Sequence, residues 1–519
     1  MVINMKLASI FTDHMVLQAG KPIKIFGEGK GKITAEFLGE RKEYTSNEEN
    51  WCISYPQAEY GGPYEMKITL NDEKIVLRDI YIGEVWLACG QSNMELVLYK
   101  TEYGFEEAQH CQNNMIRFFT VPRRTKSDVP LCGWHSEKVR GEDTLWQMCN
   151  EESALHFSAI GYYAAKELCQ KLGIAIGVIS CNWGGMGIET FIGRKYFKEA
   201  ECLKEALENY NKMLEELDWK EYNKMYSDGV RQWEDFYNSI NYSEVEEVRR
   251  KGVRANVGMP ETPNPGLPYG PYLEWMPGAL YDSMLSRIAP FGVKGMFWYQ
   301  GESNRSENYI QKYLLFMKCM RETFENEDMQ FYAIELASFS NWWSDESQET
   351  DNRFVTGNNW AFTREQQQRA TEVKKNNYLV TSMELGDIYD IHPIQKKELA
   401  HRLSMKVLKY SYGFDIYADQ PLFRSVEFKA SKAYIKLDNA DGLYCKFPDG
   451  VKMYMADERR ELKRAKVKIE NDGLILSCDE IKNPILVRYA FDYCYVGCHI
   501  YNKAGLPLAP FRTDNDELI

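Results

Sequence analysis

Residues 85–95 read VWLACGQSNME. The apolar run from Val85 to Cys89 breaks at Gly90 and delivers Gln91, Ser92, Asn93 and Met94. A short apolar run bounded by turn residues is the pattern of a strand buried on both faces, as in a parallel sheet. Gly, Ser and Asn are ordinary turn formers, so Ser92 taken alone reads first as a turn residue. A strand that enters a helix through a tight turn also holds a serine hydroxyl at the edge of the sheet, where a nucleophile is wanted. The rest of the chain decides between these readings.

Similar apolar runs recur at 174–180, 293–299, 330–336 and 378–383, with helical patterns between them, clearest at 154–172, 309–324 and 395–408. Alternation of this kind predicts an α/β domain with a five-stranded parallel sheet covered on both faces. Residues 1–80 instead carry short alternating segments punctuated by Gly27, Gly29, Gly61, Gly62 and Pro63, which predicts a small N-terminal β-sandwich. Short alternating segments return over 415–519 and predict a second β-sandwich. The expected division is thus 1–80, 81–414 and 415–519. An insertion at about 195–276 interrupts the middle domain: a charged helical part, then the Pro- and aromatic-rich loop MPETPNPGLPYGPYLEW, residues 259–275. Long irregular loops in compact domains are often lids or binding loops.

The length of 519 residues exceeds what one hydrophobic core usually supports. A net charge of -13 and a pI near 5.3 argue against nucleic acid or an anionic membrane as the main partner. No apolar run has the length of a membrane span, and the N-terminus lacks the apolar core of a signal peptide. The expectation is a cytoplasmic protein or a trimmed secreted form. The 13 cysteines show no paired spacing and read as reduced thiols. Cys494, Cys498 and His499 lack a second ligand pair, so no metal site is expected.

In an open parallel sheet, ligands bind past the carboxyl ends of the strands. Past the first run comes Ser92, and past the second the turn Asn182-Trp183-Gly184-Gly185-Met186-Gly187, whose N–H groups suit a developing negative charge. Past the third lies Gln300-Gly301-Glu302-Ser303-Asn304. The fifth is followed by Gly386-Asp387-Ile388-Tyr389-Asp390-Ile391-His392-Pro393. Each segment has a plainer reading as a tight connection or helix cap. Together they supply a nucleophile, a base, nearby acids and oxyanion donors, the parts of an acyl-transfer site. GQSNM is not the GxSxG elbow, and no GxxxxGK[ST], GxGxxG or HExxH motif supports nucleotide or metal chemistry. Glu302 with Asp390 could be cast as a glycosidase pair, but Ser92 and the glycine turn would then be idle.

The blocks SIFTDHMVLQAGKPIKIFG, GEVWLACGQSNM, FSAIGYYAAKEL, NWGGMGIE, PGALYDSM, KGMFWYQGESN, DIHPIQKKELAHRL and YNKAGLPLAPFRTD resemble the sialate O-acetylesterase family of the SGNH (GDSL-like) hydrolases, along nearly the whole chain. The resemblance implies a flavodoxin-like catalytic domain and removal of O-acetyl groups from sugars through a serine acetyl-enzyme, without a cofactor. It implies Ser92 as nucleophile and His392 as base. Oxyanion donors would be the Ser92 N–H, a glycine N–H, with Gly185 preferred to Gly184, and the Gln300 amide in place of the superfamily's asparagine. The superfamily's acid lies three residues before the histidine, where this chain has Tyr389. Asp390 is the preferred acid, followed by Asp387, with Glu302 a further alternative, and a Ser-His dyad is also compatible.

The expected partner is an O-acetylated mono- or oligosaccharide. Asn93, Tyr269, Tyr272 and Trp275 are substrate-binding candidates, with Trp298, Trp342 and Trp343 as further stacking surfaces. Arg305 and Arg364 are candidates to face a sialate carboxylate. Acetylated xyloglucan, mannan or xylan oligosaccharides are the alternative substrates, and a non-catalytic sugar-binding protein on an esterase scaffold is the alternative of another class.

Overall fold

The computed structural model describes residues 6–123, 145–239, 267–304, 308–339, 360–492, 494–495 and 497–514. It is a mixed α/β structure with several sheets. The chain divides into two compact units, Met1–Gln300 with Gln311–Phe331, and Gly301–Ile310 with Tyr332–Ile519.

In the first unit the strand Glu73–Gly90 does two jobs. Its first half pairs antiparallel with Gly61–Leu70 in the N-terminal β-structure. Its second half, buried without interruption from Ile82 to Gly90, pairs parallel with Ile176–Asn182 on one side and Gly295–Tyr299 on the other. The continuous apolar run of Val85–Cys89 follows from that placement, since both faces of a central parallel strand are covered. Trp86 stacks on Phe297 from the neighbouring strand, ring centres 4.9 Å apart. Position 80, the expected end of the N-terminal domain, falls within this strand.

Beyond Ile176–Asn182 the sheet continues with Asn113–Thr120, also parallel, and an antiparallel edge strand Gln147–Cys149. The sequence expectation of five strands omitted both. Asn113, Asn114 and Arg117 break the apolar run of the first, and Arg117 is buried because it pairs with Asp79 at 2.9 Å. Helix Ala159–Leu172 contacts Ile176–Asn182. It starts at Ser158, whose hydroxyl accepts from the Gly161 N–H, and stops at Gly173, whose φ of 68° suits glycine. The insertion forms helices Glu201–Glu216 and Trp219–Ser239. The rest of the expected excursion, residues 240–266, lies outside the described residues, as do Arg305, Trp342 and Trp343.

In the second unit, helices Trp360–Val373 and Lys396–Tyr412 contact the strand Asn377–Val380. Downstream, two four-stranded antiparallel sheets share a core in which Ala433, Ile435, Leu474 and Leu476 meet Met453, Met455, Val487 and Tyr489. Asp419 joins this region to the last helix through Lys406 at 2.8 Å, Lys409, and the Tyr410 hydroxyl at 2.9 Å. Burial pushes the Asp419 carboxyl up, but the two ammonium groups and the hydroxyl outweigh it and hold it down at about 2. An unfolded aspartate titrates at about 3.9, so the stabilisation is complete above about pH 4 and is lost as pH falls towards 2. We expect Asp419→Asn to cost about 2 kcal/mol at pH 7 and to flatten the acid limb of stability between pH 4 and 2, measured by urea denaturation.

Candidate active site

Three strand ends in the first unit stop at one level. The parallel register places Gly90 opposite Asn182 on one neighbour and Tyr299 on the other. Gln91 N–H donates to the Tyr299 carbonyl at 3.1 Å, and Trp183 N–H donates to the Gly90 carbonyl at 3.1 Å. Ser92, the Trp183-Gly184 turn and Gln300 therefore emerge side by side. Gly90 has φ +150°, and a Cβ there would lie 2.1 Å from the Tyr299 carbonyl oxygen, so no side chain fits.

Ser92 opens the short helix Ser92–Glu95 and is half-buried. The Ser158 hydroxyl donates to the Met94 carbonyl at 2.6 Å, and Ala159 N–H donates to the Leu96 carbonyl at 2.9 Å. The start of helix Ala159–Leu172 thereby braces the serine's segment from below. Gly184 stands against the serine: a Cβ on it would be 3.2 Å from Ser92 Cβ. Its N–H donates to Glu95 Oε2 at 2.9 Å, so Gly184 is already engaged. Gly185 is exposed, with φ +79° and no atom within 4 Å of a Cβ position. Gln300 is fully buried, and its Nε2 donates one proton to the Met186 carbonyl at 3.1 Å, which joins the amide to the glycine turn.

Two residues absent from the sequence reading belong to this region. Glu95 forms a buried ion pair with Arg123. Arg123 also donates from Nε to the Asn182 carbonyl at 3.2 Å, and its guanidinium lies 5.5 Å from the Trp183 ring centre. Glu95 stood inside the quoted block, three residues after the serine. Arg123 follows the strand Asn113–Thr120, which the periodicity did not show.

The second unit carries the histidine loop. Asp387 Oδ1 accepts from the N–H groups of Tyr389 and Asp390 at 2.8 and 3.2 Å, and Asp390 Oδ1 accepts from His392 N–H at 2.8 Å. Successive aspartate turns of this kind shape the loop without help from regular structure. Asp390 Oδ1 lies 3.8 Å from His392 Nδ1, close enough for electrostatic orientation and too long for a hydrogen bond. Of the candidate acids, Asp387 and Asp390 both accept loop N–H groups, and Asp390 is the one whose carboxylate also lies near the imidazole. The Glu302 charge acts on Lys396, a fully buried lysine that the sequence reading did not single out. Burial pulls the Lys396 amine down to about 7, against the opposing pull of Glu302 and Asp390.

The aromatic candidates separate. Tyr269 and Trp275 are exposed, 69% and 50%. Tyr272 packs edge-on and tilted against Trp219, Tyr222 and Tyr226, and its N–H donates to the Tyr222 hydroxyl at 3.1 Å. Asn93 is buried, and Trp298 is a core residue between Phe191 and Phe316. Arg364 is buried and donates to the carbonyls of Leu336, Ala337 and Asp492, which makes it a structural residue and not a carboxylate receptor. Among the described residues no group of His, Cys, Asp and Glu could hold a metal ion, and no helix is long and apolar enough to cross a membrane.

A strand-end serine beside a glycine turn and a buried amide fits the chemistry of an ester hydrolase. Residues 269–409 match the family of carbohydrate esterases described as sialic acid-specific acetylesterases, and the chain is a carbohydrate esterase carrying that domain. Its substrate is accordingly an acetylated sugar. Sialate O-acetylesterase from Pongo abelii is 23% identical over 559 aligned positions, covering 99% of this chain and 94% of the relative. The human sialate O-acetylesterase is 23% identical, covering 98% and 92%. A crystal structure of a carbohydrate acetylesterase from Xanthomonas citri shares the fold, with a TM-score of 0.75 over 99% of this chain and 100% of that one, at 23% identity.

Gly90→Ala should cost about 3 kcal/mol or more, from the clash with Tyr299 and the strained φ, and should abolish esterase activity. Urea denaturation and acetate release check both. Tyr272→Ala should lower stability by about 2–3 kcal/mol through lost packing and leave the KM for acetylated sugar within about twofold. Trp275→Ala should do the reverse, which steady-state kinetics on the two variants distinguish.

Proposed function

We propose that the chain hydrolyses O-acetyl esters of sialic acid-type sugars, using Ser92 as nucleophile and His392 as base, with Asp390 orienting the imidazole. The catalytic domain is read as an SGNH-type parallel sheet flanked by β-sandwich domains. The observation that carries the catalytic reading is the common level of three strand ends, which brings Ser92 against Gly184 and beside the Gln300 segment. The names of the relatives support the sialate substrate.

The chemistry runs in two halves. His392 takes the Ser92 proton as Oγ attacks the acetyl carbonyl carbon, and the N–H groups of Ser92 and Gly185 with the Gln300 amide stabilise the resulting oxyanion. Collapse breaks the ester bond, and His392 returns the proton to the departing sugar oxygen. Water then attacks the acetyl-enzyme with the same imidazole as base, releasing acetate and restoring the serine. Tyr269 and Trp275 offer exposed rings for stacking on the sugar.

Acetate release from O-acetyl sialic acid tests this. Ser92→Ala and His392→Ala should each lower kcat by about 10⁴-fold or more, and the double variant should lose little beyond either single one, because the two act as a unit. Full activity in Ser92→Ala, or losses that multiply in the double variant, would sink the assignment. Activity on acetylated xylan or mannan oligosaccharides with none on O-acetyl sialic acid would move the substrate and leave the mechanism standing.

A further inference from the structure

Glu95 and Arg123 form a buried ion pair beside the nucleophile, and the acetyl-transfer chemistry above gives neither a role. The two side chains hold three consecutive residues of the glycine turn. Glu95 Oε2 accepts the Gly184 N–H at 2.9 Å, Arg123 Nε donates to the Asn182 carbonyl at 3.2 Å, and the guanidinium covers the Trp183 ring. Glu95 sits three residues after Ser92 in the same short helix. The pair therefore fastens the turn to the nucleophile's own helix. Burial keeps the link strong, because both charges lie where water screens them little. It reaches further: the Arg123 charge also bears on Glu274 of the aromatic loop, whose carboxyl burial pushes up.

We propose that Glu95 and Arg123 are positioning residues that set the oxyanion hole, engaging the Gly184 N–H so that the turn presents the Gly185 N–H to the reacting carbonyl. The inference rests on the serine-esterase reading. Preorganised donors act on the charge that develops in the transition state, so loosening them lowers turnover more than substrate binding. Neither residue touches the substrate.

The test compares Glu95→Ala with Glu95→Gln in the full chain. Glutamine keeps a carbonyl acceptor for the Gly184 N–H and removes the charge. Three readouts are taken: kcat/KM for p-nitrophenyl acetate per titrated active site, the inhibition constant of methylboronic acid as a tetrahedral analogue, and the melting temperature. Glu95→Ala should lower kcat/KM by about 30- to 100-fold and weaken the boronate in parallel, and Glu95→Gln should lose about 3- to 10-fold in both. If the alanine variant does not fold, the parallel loss in the glutamine variant decides. Boronate affinity unchanged while kcat/KM falls, both quantities unchanged in both variants, or glutamine as damaging as alanine overturns the inference. Ser92→Ala is run alongside: undiminished acetate release there defeats the esterase reading itself, a separate outcome from failure at Glu95.

Discussion

The contact between Gly90 and the Tyr299 carbonyl governs this protein's architecture around the serine. Three parallel strands can end at one level only if their backbones approach closely at the last residue. There Gly90 leaves no room for a Cβ, with 2.1 Å between that position and the neighbouring oxygen. Gly90 also accepts the Trp183 N–H from the other side. One residue without a side chain thus sets where the serine, the glycine turn and the glutamine leave the sheet. A one-residue change of register would turn every side chain on the central strand to the opposite face.

Around that level, polar groups are engaged in a definite order. Gly184 gives its N–H to Glu95 and Gln300 gives one amide proton to Met186, so the turn is held from both ends. The histidine loop in the other unit is built differently. Asp387 and Asp390 direct their carboxylates at nearby N–H groups, and Lys396 is buried, its amine pulled down to about 7. A strand end carries Ser92, and a loop shaped by short-range hydrogen bonds carries His392. The distant relatives align along almost the whole chain at 23% identity, which fits a scaffold whose constraints fall on backbone geometry more than on side-chain identity.

The parts of the candidate site were legible because they follow apolar runs. Ser92, the Gly184-Gly185 turn, Gln300 and His392 each come just after a hydrophobic segment, and that pattern survives without coordinates. Asn113–Thr120 was not legible, because Arg117 interrupts its apolar pattern, and its partners, the Asp79 carboxylate and the Tyr81 ring, are distant in sequence. Arg123 was lost with it. In the aromatic loop, Tyr269, Tyr272 and Trp275 look alike in sequence, yet Tyr272 packs against the inserted helices while the other two are exposed.

The sequence by itself determined most of the segments that become strands and helices and which residue types stand at the strand ends, since periodicity and turn chemistry are local properties. Tertiary structure alone decided which groups those residues engage. That Gly184 serves Glu95 and that Arg364 supports the carbonyls of Leu336, Ala337 and Asp492 depend on distances between segments far apart in the chain. Hydrogen bonds and ion pairs act over a few ångströms, and no local pattern encodes which distant partner arrives within that reach.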